Sequence, residues 1–170
     1  MENDHEGARN FRSANLAGAD LAGRDLSKSD LRSADLDSAD LTEANLEEAD
    51  LEGAMLSDAK LTGANLTRAN LYMAILYQAN FERAILIDAD LLGVNLFGAN
   101  LRHADLTRAK LGRSNIGTPT RLQGATLIDA QISEADFTGA EYDRNTRFPV
   151  GFSPEEHGLV WADESGEWEN

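Results

Sequence analysis

The side chains able to do chemistry are few and scattered. His5, His103 and His157 are the only imidazoles. His103 stands beside Arg102, a pairing that could hold an anion and that equally makes an ordinary solvated face. Serine and threonine are plentiful, but none has a histidine in register for a nucleophilic triad. No glycine-rich loop leads into a helix pattern that could cradle phosphate. Cysteine is absent, which excludes disulfides, zinc–thiolate centres and thiol catalysis. Thirty Asp and Glu against 15 Lys and Arg give a net charge of −15. That balance disfavours phosphate backbones and anionic lipid, so no direct nucleic-acid partner is expected. No apolar run is long enough for a membrane span. The acidic start, Met1 to Glu6, lacks the apolar core of a signal peptide. A cytoplasmic protein is expected, provided no targeting segment has been removed. These observations predict a non-enzyme with no cofactor and no metal centre.

What the residues do show is a period. From Phe11 to Ile116 a bulky apolar residue returns every fifth position; all 22 are Leu, Phe or Ile, and 19 are Leu. Two residues earlier stands Ala in 17 of the 22, and one residue earlier stands Asp or Asn in 17. Ala64-Asn65-Leu66-Thr67-Arg68 is a clean copy. Helices repeat near 3.6 residues and strands at 2, so a step of five fits neither. A helical reading of the Ala-Leu-Glu stretches fails on period alone. Gly18, Gly23, Gly53, Gly63, Gly93 and Gly98 all fall two residues after the central position, which marks a repeated corner or close backbone approach. The chain is 42 % apolar but only 6 % aromatic, as a repeated Leu-and-Ala packing layer requires.

This unit resembles the pentapeptide repeat proteins over about residues 9–142, and its tail resembles cyanobacterial members. The resemblance implies an all-β fold, a right-handed quadrilateral parallel β-helix with one pentapeptide per side and 20 residues per turn. The central residue and the one two before it would face inward, the other three outward. Coils would stack at about 4.8 Å, with dry Leu columns beside small Ala, and Val94 as a mild exception. On that geometry Asp20 lies under Asp40, and Asp30 under Asp50 with Asp90 higher. Such columns could attract calcium or be plain solvated faces.

The frame slips once, at Gly117-Thr-Pro-Thr-Arg121, and resumes at Leu122, Leu127, Ile132, Phe137 and Tyr142. A one-residue bulge near Pro119 accounts for it. Ser153-Pro-Glu-Glu156 carries the marks of a helix start, with Ser as N-cap and Glu closing a capping box. It predicts a short C-terminal capping helix over the last coil. At the other end the inward phase holds Arg9, Arg24 and Ser29. An unpaired buried arginine is costly, so these should reach out through an open first coil. The expected organisation is an N-terminal tail at 1–8, the repeat β-helix at 9–146, a C-terminal cap at 147–162 and an acidic, disordered tail at 163–170.

Outward positions normally hold polar residues. In the middle coils they hold Met55, Tyr72, Met73, Ile75, Tyr77, Leu92 and Phe97, a candidate interaction patch around one edge. Ile85 and Ile87 form a smaller group. Contiguous exposed apolar residues mark interfaces. The expected function is protein–protein interaction or scaffolding, with an unidentified protein partner or self-association. The alternative, which the resemblance supplies, is a DNA-mimicking protein that binds gyrase or another topoisomerase through an acidic rod. Charge weighs against it: residues 14–60 and 117–170 each carry −8, whereas residues 61–116 carry +2. Cys and Phe richness and a protruding loop, associated with the quinolone-resistance members, are also missing.

The inward assignment has a direct test. Ala64→Phe and Ala69→Phe should overpack the core by at least about 1–3 kcal/mol, while Thr62→Phe, on the outside, should melt like the parent. Equal melting of the three would contradict the assignment.

Overall fold

Each five-residue unit has five N–H groups to satisfy, and the way it does so sets the shape. The structure, a computed structural model, describes residues 9–162. The expected tails at 1–8 and 163–170 lie outside the described residues. In the unit around Leu31, the Leu31 N–H donates to Asp50 O at 2.7 Å, the Ser33 N–H to Glu52 O at 2.9 Å, and the Asp35 N–H to Ala14 O at 2.9 Å. These three run between coils. The Ala34 N–H closes a turn onto Leu31 O at 3.0 Å. The fifth, of Arg32, points to no backbone carbonyl; it donates to Asp30 Oδ1 at 3.2 Å. Here lies the reason for Asp or Asn before each Leu. The same bond recurs, for example from Thr42 to Asp40, from Glu82 to Asn80 and from Leu92 to Asp90.

The turn also explains the phased glycines. Its third residue sits in the left-handed region, as a type II turn demands. Among the described residues sixteen non-glycine residues adopt it with φ between 54° and 59°, including Glu48, Asp58 and Met73. Each such residue is strained by roughly 1–2 kcal/mol, which glycine at this phase avoids. Gly93 has a further reason. A Cβ there would meet Met73 Sδ at 2.7 Å and Ser114 Cβ at 3.0 Å.

Repeated four times per coil, the unit winds a right-handed four-sided solenoid in which residue n pairs in parallel with residue n+20, as Asp30 does with Asp50 and Met55 with Ile75. The first side carries Leu31, Leu51, Leu71 and Leu91. The second carries Leu36, Leu56, Leu76 and Leu96, the third Leu41, Leu61, Phe81 and Leu101, and the fourth Leu46, Leu66, Leu86 and Leu106. These residues and the Ala beside them are buried, with Leu41, Ala64 and Phe81 wholly inaccessible. Val94 is accommodated in full burial as well. Asparagine adds vertical ties on the outside, Asn70 Nδ2 to Asp50 Oδ1 at 2.9 Å and Asn100 Nδ2 to Asn80 Oδ1 at 3.0 Å.

The slipped frame is larger than a one-residue bulge. Lys110 pairs with Asp136 and Asn95 with Arg121, a spacing of 26 residues instead of 20. The six extra residues, Ser114 to Pro119, leave the coil as a loop closed by the Ser114 N–H on Thr118 O at 2.7 Å. Ile116 therefore belongs to no Leu column. Thr120 takes the inner Ala phase, where its Oγ1 accepts from the Gly93 N–H at 3.0 Å and lies 2.8 Å from Leu91 O.

No helix forms over the last coil. Ser153 to Gly158 is a tight turn in which the His157 N–H reaches Ser153 O at 3.3 Å. Gly158, with φ 74°, reverses the chain, and the Leu159 N–H bonds back to Pro154 O at 3.0 Å. So short a segment cannot repay helix nucleation. It instead delivers strand β2 (Val160–Trp161) to pair in parallel with β1 (Glu141–Tyr142). Aromatic rings close this end. Phe152 stacks on Phe148 at 4.8 Å, and Tyr142 meets Trp161 edge-on at 5.3 Å. The first coil has no such cover among the described residues. Arg9 and Arg24 are exposed there, as the open end predicts, and Ser29 is buried with its hydroxyl unpartnered.

The fifth-donor bond can be removed and added. Asn80→Leu should cost about 1 kcal/mol, lowering Tm by about 2–4 °C in a chain of this size. Ile85→Asn, which supplies an acceptor for Ile87, should shift Tm upward. Opposite signs in a melting experiment would refute the assignment.

Candidate interaction surface

The residues singled out for chemistry stay apart. His103 Nδ1 lies 3.9 Å from Asp129 Oδ2 on the exposed third side. The carboxylate columns stack as the period requires, Asp20 with Asp40 and Asp30 with Asp50, but protein cations occupy them. Arg32 reaches Asp30 at 2.6 Å and Asp50 at 3.4 Å, and Lys60 reaches Asp40 at 3.4 Å. The hydrogen bond from Arg32 pulls the Asp30 carboxyl down to about 2. Among the described residues no three His, Asp or Glu converge as a metal site requires, and no helix is long and apolar enough to cross a membrane.

The apolar positions do come together. Met55 pairs with Ile75 on the second side. The rings of Tyr77 and Phe97 stack one coil apart, 5.6 Å between centroids and 10° between planes. Met55, Ile75, Tyr77 and Phe97 are all exposed, Phe97 to 44 %. They hold outward phases, so no core packing accounts for them. Two of them replace the usual acceptor of the backbone N–H. Met55 and Ile75 occupy the Asp/Asn position, and neither side chain can accept the fifth N–H. For Ser57 the gap is filled from the coil below, where Asp37 Oδ1 accepts at 2.7 Å.

Tyr72, Met73 and Leu92, on the first side, are half-buried. The six-residue loop explains the difference. It leaves after Leu111 and returns before Leu122, so it sits on the edge between the first and second sides. The Tyr72 hydroxyl donates to Asn115 Oδ1 from this loop. A groove of about 420 Å³ results, lined among others by Arg68, Tyr72, Asp88, Asp90, Leu92 and Asn115. Its ionic groups are tied together from outside. Arg108 bonds Asp88 at 2.7 Å and holds that carboxyl below the usual range. Arg68 is held by Glu48 and Glu47 at 2.6 and 2.5 Å.

At the loop tip Ile116 is 73 % exposed, which adds an apolar side chain that periodicity had placed in the core. Ser114 in the Ala phase, just before the slip at Gly117, was the available signal. Ile85 is exposed on the fourth side and Ile87 half-buried, apart from this edge.

Comparison with known proteins agrees with the architecture. The family model described as Pentapeptide repeats matches in eight copies over residues 10–47, 34–72, 44–83 and 74–113. HetL, a pentapeptide repeat protein involved in heterocyst differentiation regulation from the cyanobacterium Nostoc, is 32 % identical; the match covers 90 % of this chain and 69 % of that one with a TM-score of 0.46. The pentapeptide repeat protein Rfr23 from the cyanobacterium Cyanothece is 29 % identical over 82 % of this chain and 91 % of its own, with a TM-score of 0.42. QnrB1, a plasmid-mediated fluoroquinolone resistance protein, shares 17 % identity over 91 % of this chain and 80 % of its own, with a TM-score of 0.60, a likeness of fold. No curated protein sequence matches.

Proposed function

The chain belongs to the pentapeptide repeat family, and on that footing we propose that it is a non-enzymatic interaction or scaffolding protein. Its partner docks across the edge formed by Met55, Tyr72, Met73, Ile75, Tyr77, Leu92 and Phe97, with Ile116 beside them. One observation carries the reading: four large apolar side chains, Met55, Ile75, Tyr77 and Phe97, stand exposed together on the second side, whereas Ile85 is exposed singly on the fourth. Surfaces of this composition, rich in aromatic residues and Met, are typical interface cores. Among the described residues the interior offers no competing site, because chiefly Leu and Ala fill it from side to side.

Magnitudes favour joint action. Hiding about half the apolar area of one such side chain yields roughly 1 kcal/mol at about 25 cal/mol per Å². Association costs several times that, so the residues must act together.

The DNA-mimicking reading fits less well, although the loop at Ser114 to Pro119 supplies a protrusion where the sequence pattern indicates none. Such a mimic presents acid along its length, and here a middle segment of +2 separates two segments of −8. The likeness to the resistance protein concerns the fold. A gyrase supercoiling assay should therefore show no inhibition, and inhibition would favour the mimic.

The test of the patch is the double variant Tyr77→Ser, Phe97→Ser. Circular dichroism should be unchanged, because the Leu columns are untouched. Self-association or capture of a partner should weaken at least tenfold. A folded variant with binding and oligomeric state like the parent would place the interface elsewhere.

A further inference from the structure

The second side differs from the other three in its charges as well as its apolar content. On each other side, although acids such as Glu52, Glu43 and Asp105 have no ion pair among the described residues, a cation neutralises at least one acid. Arg32 does so on the first and Lys60 on the third, while Lys28, Arg68 and Arg108 do so on the fourth. On the second side Asp35 and Asp37 lie in the coil beneath Met55 and Asp58 lies in Met55's own coil, below Tyr77 and Phe97, and none of the described cations pairs with them. Their chain positions tie them to the apolar stack. The Asp58 N–H bonds Tyr77 O at 2.8 Å, and Asp37 accepts the N–H of Ser57, the residue directly below Tyr77 in its column.

From this juxtaposition we infer that the second side takes an extended segment of a partner protein that carries arginine or lysine beside apolar or aromatic residues. The apolar residues cover Tyr77, Phe97 and Ile75, and the cation lies toward the N-terminal coils against Asp35, Asp37 and Asp58. The inference rests on the apolar docking reading above and adds the partner's chemistry and direction.

Spacing is compatible with one short segment. The acids stand one or two coil steps below the Tyr77 ring, about 5–10 Å at about 4.8 Å per step. An extended chain advances about 3.3 Å per residue, so the cation falls two or three residues from the aromatic contact. Opposite charge speeds encounter and rejects acidic competitors. A second copy of this chain is a poorer occupant, because each copy brings −15 to a contact whose rim is already acidic.

The experiment titrates the isotope-labelled full chain with three acetylated, amidated peptides and follows backbone amide shifts. The first peptide has two arginines placed three residues before a Phe-x-Leu sequence. In the second the arginines are glutamates, and in the third Phe and Leu are serines. The arginine peptide should shift the amides of Ser57, Asp58, Tyr77 and Phe97. The other two should bind at least tenfold more weakly.

Asp35→Asn, Asp37→Asn and Asp58→Asn together should weaken the arginine peptide at least fivefold. Each Asn keeps a side-chain oxygen for the backbone bonds, so the fold is retained. Raised salt should reduce the difference between the first two peptides. Equal binding of the arginine and glutamate peptides at these amides would overturn the cation assignment and leave the apolar reading standing. No shift of second-side amides with any peptide would overturn both the segment and its chemistry. Shifts at these amides on concentrating the protein alone would overturn them in favour of a second copy.

Discussion

Everything in this fold follows from one unmet hydrogen bond. A coil of tight turns pairs four of the five backbone N–H groups in each unit, three with neighbouring coils and one across the turn. The remaining donor faces outward beside the turn. An Asp or Asn one residue before the Leu accepts it, as Asp30 does for Arg32 and Asn80 for Glu82. That bond fixes the extended residue against the turn that follows it, and the turn points the Leu inward. Coils then stack with Leu over Leu, and burial supplies the driving force. An outer polar side chain and an inner apolar one are two halves of the same device.

Much of this was legible from spacing. The period of five, the Ala beside each Leu and the phased glycines establish which residues turn inward, and the buried columns agree with them. The reason for Asp and Asn was not legible, because it lies in where a single N–H points. The loop was underestimated for a related reason. A slip of one in a period of five looks the same whether one residue or six have been inserted, so Asn115–Ile116 passed for a repeat although it lies outside the coil. At the C-terminal end, local signals for a helix at Ser153 to Glu156 are sound but lose to a tertiary demand. Val160 and Trp161 must reach the open edge of Glu141–Tyr142, and only a tight turn fits between.

Function in such a scaffold is written in the outward exceptions. Three of every five positions are released from packing, so a departure there from polar residues has no structural cause. Ile75 makes the point most sharply, since it displaces the side-chain acceptor that the Tyr77 N–H otherwise needs, while for Met55 the coil below supplies one. A surface that accepts that loss while stacking Tyr77 on Phe97 and leaving three aspartates without a cation among the described residues suits recognition of another chain. The loop adds height at the same edge, with Asn115 held on Tyr72 and Ile116 facing solvent.

Hydrogen exchange of individual amides tests the central constraint most directly. The N–H groups of Glu82, Leu92 and Phe97 follow an Asp or Asn in their units and have its oxygen as acceptor. Those of Thr62, Tyr77 and Ile87 follow Lys60, Ile75 and Ile85, whose side chains offer none. All six lie at the same outer phase of the coil. The account predicts that the first three exchange at least tenfold more slowly than the last three under native conditions. Indistinguishable rates in the two groups would contradict it.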